Sequence, residues 1–202
     1  GSSTFKIEDP LEFAFQPYGQ VASDMISGYD ATRKVEIVDQ SGNVVDTGYD
    51  LSKLIKVTSR IATDAESGIQ QAGVDKNMYT MVVDFADAES TLGITHSQSL
   101  DLMNKIAGNR VRLTFDSQFK RYASLTDYVN LNTDGKPWVP NVANLVINDK
   151  SIPSNEVQVT PPINEPDISK TVDGVKNKDL SGPYQIFTYK IDTSIPYNAT
   201  QF

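Results

Sequence analysis

Arg110-Val111-Arg112-Leu113-Thr114-Phe115 decides the fold class, because its residues alternate without a break. Val111, Leu113 and Phe115 fall on one side of an extended chain, and Arg110, Arg112 and Thr114 on the other. That is the period of a strand with one face on a core. The same pattern recurs outward in both directions. Met78 to Phe85 is β-branched and aromatic enough for a buried strand, and Val35 and Ile37 face Val44 across a hairpin turn at Gln40-Ser41-Gly42-Asn43. Downstream, Asn141 to Ile147, Glu156 to Val159 and Gln185 to Ile191 alternate too. Helical period is clearest from about Ser97 to Ala107, with serine near its start, Gly108 past its end, and Leu100, Met103 and Ile106 on one face. A weaker helical stretch, Thr63 to Ala72, is interrupted by Gly68. The pattern predicts a mainly β protein, a β-sandwich with a short helical insertion.

The composition narrows the chemistry. Among 202 residues there are 18 basic and 26 acidic side chains, a net charge of −8, which argues against a general phosphate-binding surface and hence against nucleic acid. No apolar run is long enough to insert in a membrane. Cysteine is absent and His96 is the single histidine, so disulfides, thiolate or multi-histidine metal sites and cysteine nucleophiles are excluded. No cofactor is implied. A hydrolase would have to be built on His96 alone, which sits in Thr95-His96-Ser97 as a helix-cap neighbour.

Three stretches define the organisation. Gly1-Ser2-Ser3 reads as an expression scar. Residues 4–161 carry most of the strands and read as the body. Residues 162–167 continue a linker in which Pro161, Pro162 and Pro166 forbid ladder pairing and favour an extended spacer. Residues 168–202 form a tail with two strand-like runs, too short to build a core of its own, so it must pack on this body or on another molecule.

Polar residues in phase with apolar rows carry the reactive chemistry. Phe5, Ile7, Asp9 and Leu11 share one face, with Lys6 and Glu8 opposite; Asn141, Ala143, Leu145 and Ile147 share another; Ile168, Lys170 and Val172 a third. An unpaired buried ammonium or carboxylate costs several kcal/mol, so such groups neutralise or find partners. If the three meet, an apolar site lowers the lysine pKa and raises that of the aspartate. A neutral Lys170 amine then attacks the Asn141 carboxamide while protonated Asp9 polarises its carbonyl, leaving an isopeptide crosslink. Glu8 is the alternative acid and Asn144 the alternative acceptor, both out of phase. Lys176 and Lys178, in a Gly/Asn-rich turn, read as solvated.

The strings FKIEDPLEF (5–13), VPNVANLVIND (139–149) with SNEVQVTPP (154–162), and ISKTVDG (168–174) with LSGPYQIFTYKIDTSIPYNATQF (180–202) resemble the isopeptide-forming domains of Gram-positive fimbrial proteins and cell-wall adhesins. The likeness covers about a third of the chain and both ends of a repeat; residues 19–123 match only in their strand-rich character. It implies an immunoglobulin-like (pilin-type) sandwich, with Lys170 as nucleophile, Asn141 as acceptor and Asp9 as acid. It also implies an extracellular location on a cell-wall-anchored parent, and neighbouring copies or tandem repeats as partners. Such a module turns over no substrate, since the amine and amide are consumed once. The order departs from the family, in which the lysine strand comes first. Here the chain reads as a repeat cut between NATQF and TFKIED, with its opening strands placed last, an order that engineering would explain. The tail then closes on its own body, as in a circular permutant, or completes a neighbouring molecule; the tandem-repeat logic favours the neighbour.

A competing reading is a ligand-binding adhesin domain for a host glycan or protein. Tyr18, Tyr29, Tyr122 and Trp138 would stack on sugar, and Asp84-Phe85-Ala86-Asp87 would hold calcium.

Overall fold

Phe5, Ile7 and Asp9 point one way from the first strand because Lys6 and Glu8, an ion pair at 2.5 Å, take the solvent side. The computed structural model describes residues 4–30, 32–68, 72–121, 123, 136, 138–160 and 167–194, distributed over two units, Gly1–Pro161 and Pro162–Phe202. The first unit holds β1 (Phe5–Pro10), β2 (Phe15–Pro17), β3 (Arg33–Val38), β4 (Val44–Val45), β5 (Ile55–Ile61), α1 (Asp64–Ser67) and β6 (Asn77–Asp84). It continues with α2 (Ala88–Leu92), α3 (His96–Ile106), β7 (Arg110–Phe115), β8 (Ser117–Phe119), β9 (Val139–Asn141), β10 (Asn144–Ile147), β11 (Lys150–Pro153) and β12 (Val157–Val159). The second unit holds β13 (Ile168–Val172) and β14 (Tyr189–Thr193).

The chain is mainly β, in several antiparallel sheets. One has five strands in the order β11-β10-β1-β6-β5, and a second has three, β4-β3-β7. The pairs β2–β8, β9–β12 and β13–β14 stand as two-stranded sheets. The main core draws Val83 from the first sheet, Val35 and Ile37 from the second, and Leu102 and Ile106 from α3, with Phe5 and Ile7 packed against it. Phe5 meets Phe85 edge to face at 5.2 Å. The expected β3–β4 hairpin forms with Val38 opposite Val44; Asp39 Oδ1 accepts from the amides of Ser41 and Asn43 across the turn.

Expectations for four stretches are corrected. The helix at Ser97–Ala107 begins one residue earlier, and its cap is Thr95, not a serine: Thr95 Oγ1 accepts from the Gln98 amide while Gln98 reaches back to the Thr95 amide. Its buried stripe is Leu102 and Ile106 with Met103 alongside, so Leu100, two residues and about 200° from Leu102, lies on the solvent side. The Thr63–Ala72 helix is a single turn that stops at Gly68, where φ is 59°; Ile69 to Gln71 lie outside the described residues. The alternating stretch Asn141–Ile147 is two strands in different sheets, because both backbone groups of Ala143 are taken by Ser154, whose amide and hydroxyl bond them at 2.8 and 3.0 Å. In the tail, only the end of Gln185–Ile191 is strand. Gln185 instead closes a turn, its side chain accepting from the amide and hydroxyl of Ser181.

Candidate crosslinking site

Asp9 is carried inward by the phase of β1, opposite Met81 of β6, and is 8% exposed. Asn141 ends β9 opposite Val157 of β12, so Val139, Asn141, Val157 and Val159 share one face of that small sheet. The two elements meet: Asn141 Nδ2 donates to Asp9 Oδ2 at 3.3 Å. The remaining oxygen of each side chain, Asp9 Oδ1 and Asn141 Oδ1, is buried without a hydrogen-bond partner. Burial pushes the Asp9 carboxyl up, against the smaller opposing effect of the Asn141 amide. With the amide turned by 180° its carbonyl would face the carboxyl, and a protonated Asp9 would donate to that oxygen.

Lys170 lies in the other unit, at the centre of β13. The register pairs Ile168 with Thr193, Lys170 with Ile191 and Val172 with Tyr189, so one face of the hairpin is apolar except for Lys170 and, at its end, Thr193. Its ammonium sits 4.1 Å from the Tyr189 ring centroid. The opposite face carries Ser169, Thr171, Lys190 and Asp192, the last two ion-paired at 3.5 Å. The shared face read for Ile168, Lys170 and Val172 therefore holds, and that face is open: Ile168 is 76% and Ile191 59% exposed.

The alternatives are engaged elsewhere. Glu8 is held by Lys6, and Asn144 Oδ1 accepts from Ser151 Oγ at 3.3 Å. Lys178 is ion-paired with Asp173 rather than free in solvent, and Lys176 is exposed. His96 Nδ1 contacts Glu89 at 2.6 Å on the surface. Of the aromatic residues considered for sugar stacking, Tyr18 is buried, its ring edge-on to Tyr29 at 4.7 Å, while Tyr122 lies outside the described residues. Trp138 is half-buried with the Lys136 ammonium 5.5 Å from its ring. The acids considered for calcium have other work: Asp84 caps the Ala86 amide and Asp87 pairs with Lys56 at 2.5 Å. Among the described residues no three metal-ligating side chains cluster.

The sequence reading missed Lys120. It is 1% exposed, and its ammonium donates to the backbone carbonyls of Asp75, at 2.9 Å, and Asn77. The Phe13 ring lies 3.8 Å away. Burial pushes its pKa down to about 8, opposed by the Asp75 charge. Phe119-Lys120-Arg121 reads as a strand running into a solvated basic pair, and only the neighbouring aromatics hinted otherwise.

Comparison with known proteins adds one relative. Over 126 residues the chain is 35% identical to a protein of Streptococcus gordonii named platelet adherence protein A. It is similar to a streptococcal adherence protein. The match takes in 60% of this chain but spans only 4% of that protein's length. No family model and no solved structure matches. Among the described residues no helix is long and apolar enough to cross a membrane.

Proposed function

We propose that this chain is a structural module of a Gram-positive surface adhesin, an immunoglobulin-like sandwich stapled by one Lys170–Asn141 isopeptide bond. The neutral Lys170 amine attacks Asn141 Cγ, a new C–N bond forms, the bond to the amide nitrogen breaks, and Asp9 supplies the proton with which ammonia departs and takes up the one the attacking nitrogen loses. Amine plus carboxamide gives secondary amide plus ammonia, with no change of oxidation state. The observation that carries this reading is the pair of orphaned acceptors, Asp9 Oδ1 and Asn141 Oδ1, in a buried site where a donor is missing. A buried acceptor without a partner costs about 1–3 kcal/mol, and an incoming amine relieves two of them. The apolar face around Lys170 is further support, since docking it would desolvate the ammonium. The streptococcal relative supports the surface location and, through its name, attachment to a host surface as the parent's role.

Intact mass tests the crosslink. Folded protein should weigh less than its sequence by one ammonia per bond, and Lys170→Ala or Asn141→Ala should restore the full mass. An unmodified mass in the folded wild type refutes it. On a denaturing gel, closure within one chain gives a single band and head-to-tail joining gives a ladder.

A further inference from the structure

The two facing sheets are unequal. Five strands oppose three, and within the described residues β7 pairs only with β3, leaving its other edge open. Beside that edge lies an apolar groove of about 610 Å³, lined by Phe5 and Ile7 of β1, Leu145 of β10, Met103 and Ile106 of α3, and Val111 of β7. An unpaired strand edge next to an apolar trough is a site for strand addition: backbone bonds hold the incoming strand and alternate side chains fill the trough.

We infer that β7 and this groove receive the β13–β14 hairpin of a second copy of this chain, docked through β14. This rests on the crosslink reading above and says how Lys170 is delivered. The added strands extend the small sheet to β4-β3-β7-β14-β13, so that five strands face five. The hairpin has the required asymmetry. Ile168, Val172, Tyr189 and Ile191 turn to the groove with Lys170 among them and Thr193 at the end, and Ser169, Thr171, Lys190 and Asp192 turn to solvent. On the solvent side of β7 stands exposed Arg112, which in this docking would share a face with the Lys190–Asp192 pair of β14. The groove floor is β1, and Asp9 lies two residues beyond Ile7 on the same face, so the strand beneath the docked hairpin also carries the acid.

The exposed surfaces favour a second copy as donor. Each chain exposes both the open edge and the unburied apolar hairpin, with Ile168, Tyr189 and Ile191 more than half exposed. Such a donor–acceptor pair on one chain joins copies head to tail.

The test uses full-length Lys170→Ala, which docks but cannot bond. Sedimentation should show association that grows with concentration. Hydrogen exchange should show residues 110–115 and 189–193 gaining protection as it does. Ile152→Lys, at the exposed rim of the groove, should move association to at least tenfold higher concentration while leaving the circular dichroism unchanged. Protection of those segments in a monomer at every concentration would mean that the chain's own hairpin occupies the groove, and overturns the inference. Protection elsewhere, or none, overturns it as well. The two readings fail separately: ammonia loss in wild type without β7 protection leaves the crosslink and removes this docking mode. Association through β7 at full mass supports the docking and removes the crosslink.

Discussion

Replacing Lys120 by methionine probes the most deeply buried charge among the described residues. The ammonium's contacts are two backbone carbonyls and the Phe13 ring, with the Tyr79 ring centroid farther off at 5.6 Å. Methionine leaves both carbonyls unpaired, at about 1–3 kcal/mol each, and removes a cation–π contact of about 1–2 kcal/mol. Against this, it relieves the cost of keeping the lysine charged. A pKa pushed from 10.5 to about 8 corresponds to about 3 kcal/mol at neutral pH. The expected net loss at pH 7 is therefore about 2 kcal/mol, read by urea unfolding in a Lys170→Ala background so that no crosslink obscures the transition.

The pH dependence makes the test specific. Between about 8 and 10.5 the unfolded chain binds the Lys120 proton and the folded chain does not, so wild-type stability rises with pH across that window. Methionine has no such proton. The gap between the two proteins should widen by about 2 kcal/mol from pH 7 to pH 10. Tyr79 does not disturb the comparison, since burial and the Asp75 charge hold its phenol above the ordinary value in both proteins. A gap that stays flat would show an ordinary lysine pKa, and one that narrows would show an ammonium stabilised by its cage. Either result refutes the argument.

Two further outcomes are expected. Asp9→Asn should leave the full mass of Lys170 and Asn141 intact. In the Lys170→Ala background it should raise the melting temperature at pH 7 but not at pH 3: a buried carboxyl with a raised pKa opposes folding above that pKa and ceases to do so once protonated. Thr95→Ala should cost about 1 kcal/mol in chemical denaturation by removing one half of the α3 capping box, with no effect on crosslinking.

Period-2 alternation made the strands legible wherever one face is buried and the backbone continues. β6 and β7 fall where their side chains predict, and the inward phase of Asp9 was visible because Lys6 and Glu8 mark the other face so clearly. The interruption after Asn141 was not, because it is made by Ser154, a residue distant in sequence whose amide and hydroxyl occupy Ala143. Lys120 was invisible for a related reason. Its partners are carbonyl oxygens, which every residue carries, so no side-chain pattern announces them. Contacts made by periodic side chains leave a trace in sequence, and contacts made by backbone groups do not.

The same distinction bears on the site itself. Asp9 and Asn141 arrive from strands 132 residues apart and leave two acceptors without a donor, an arrangement that is expensive unless something else enters. Lys170 has the complementary defect, a cation set among exposed apolar side chains on a hairpin too small to bury them. Each half is unfavourable alone, and each lacks what the other offers: a donor on one side, a covering surface on the other. On the proposed reading, covalent closure would make permanent an association that burial favours. That order, docking first and bond second, requires Lys170→Ala to weaken the joint without abolishing its assembly.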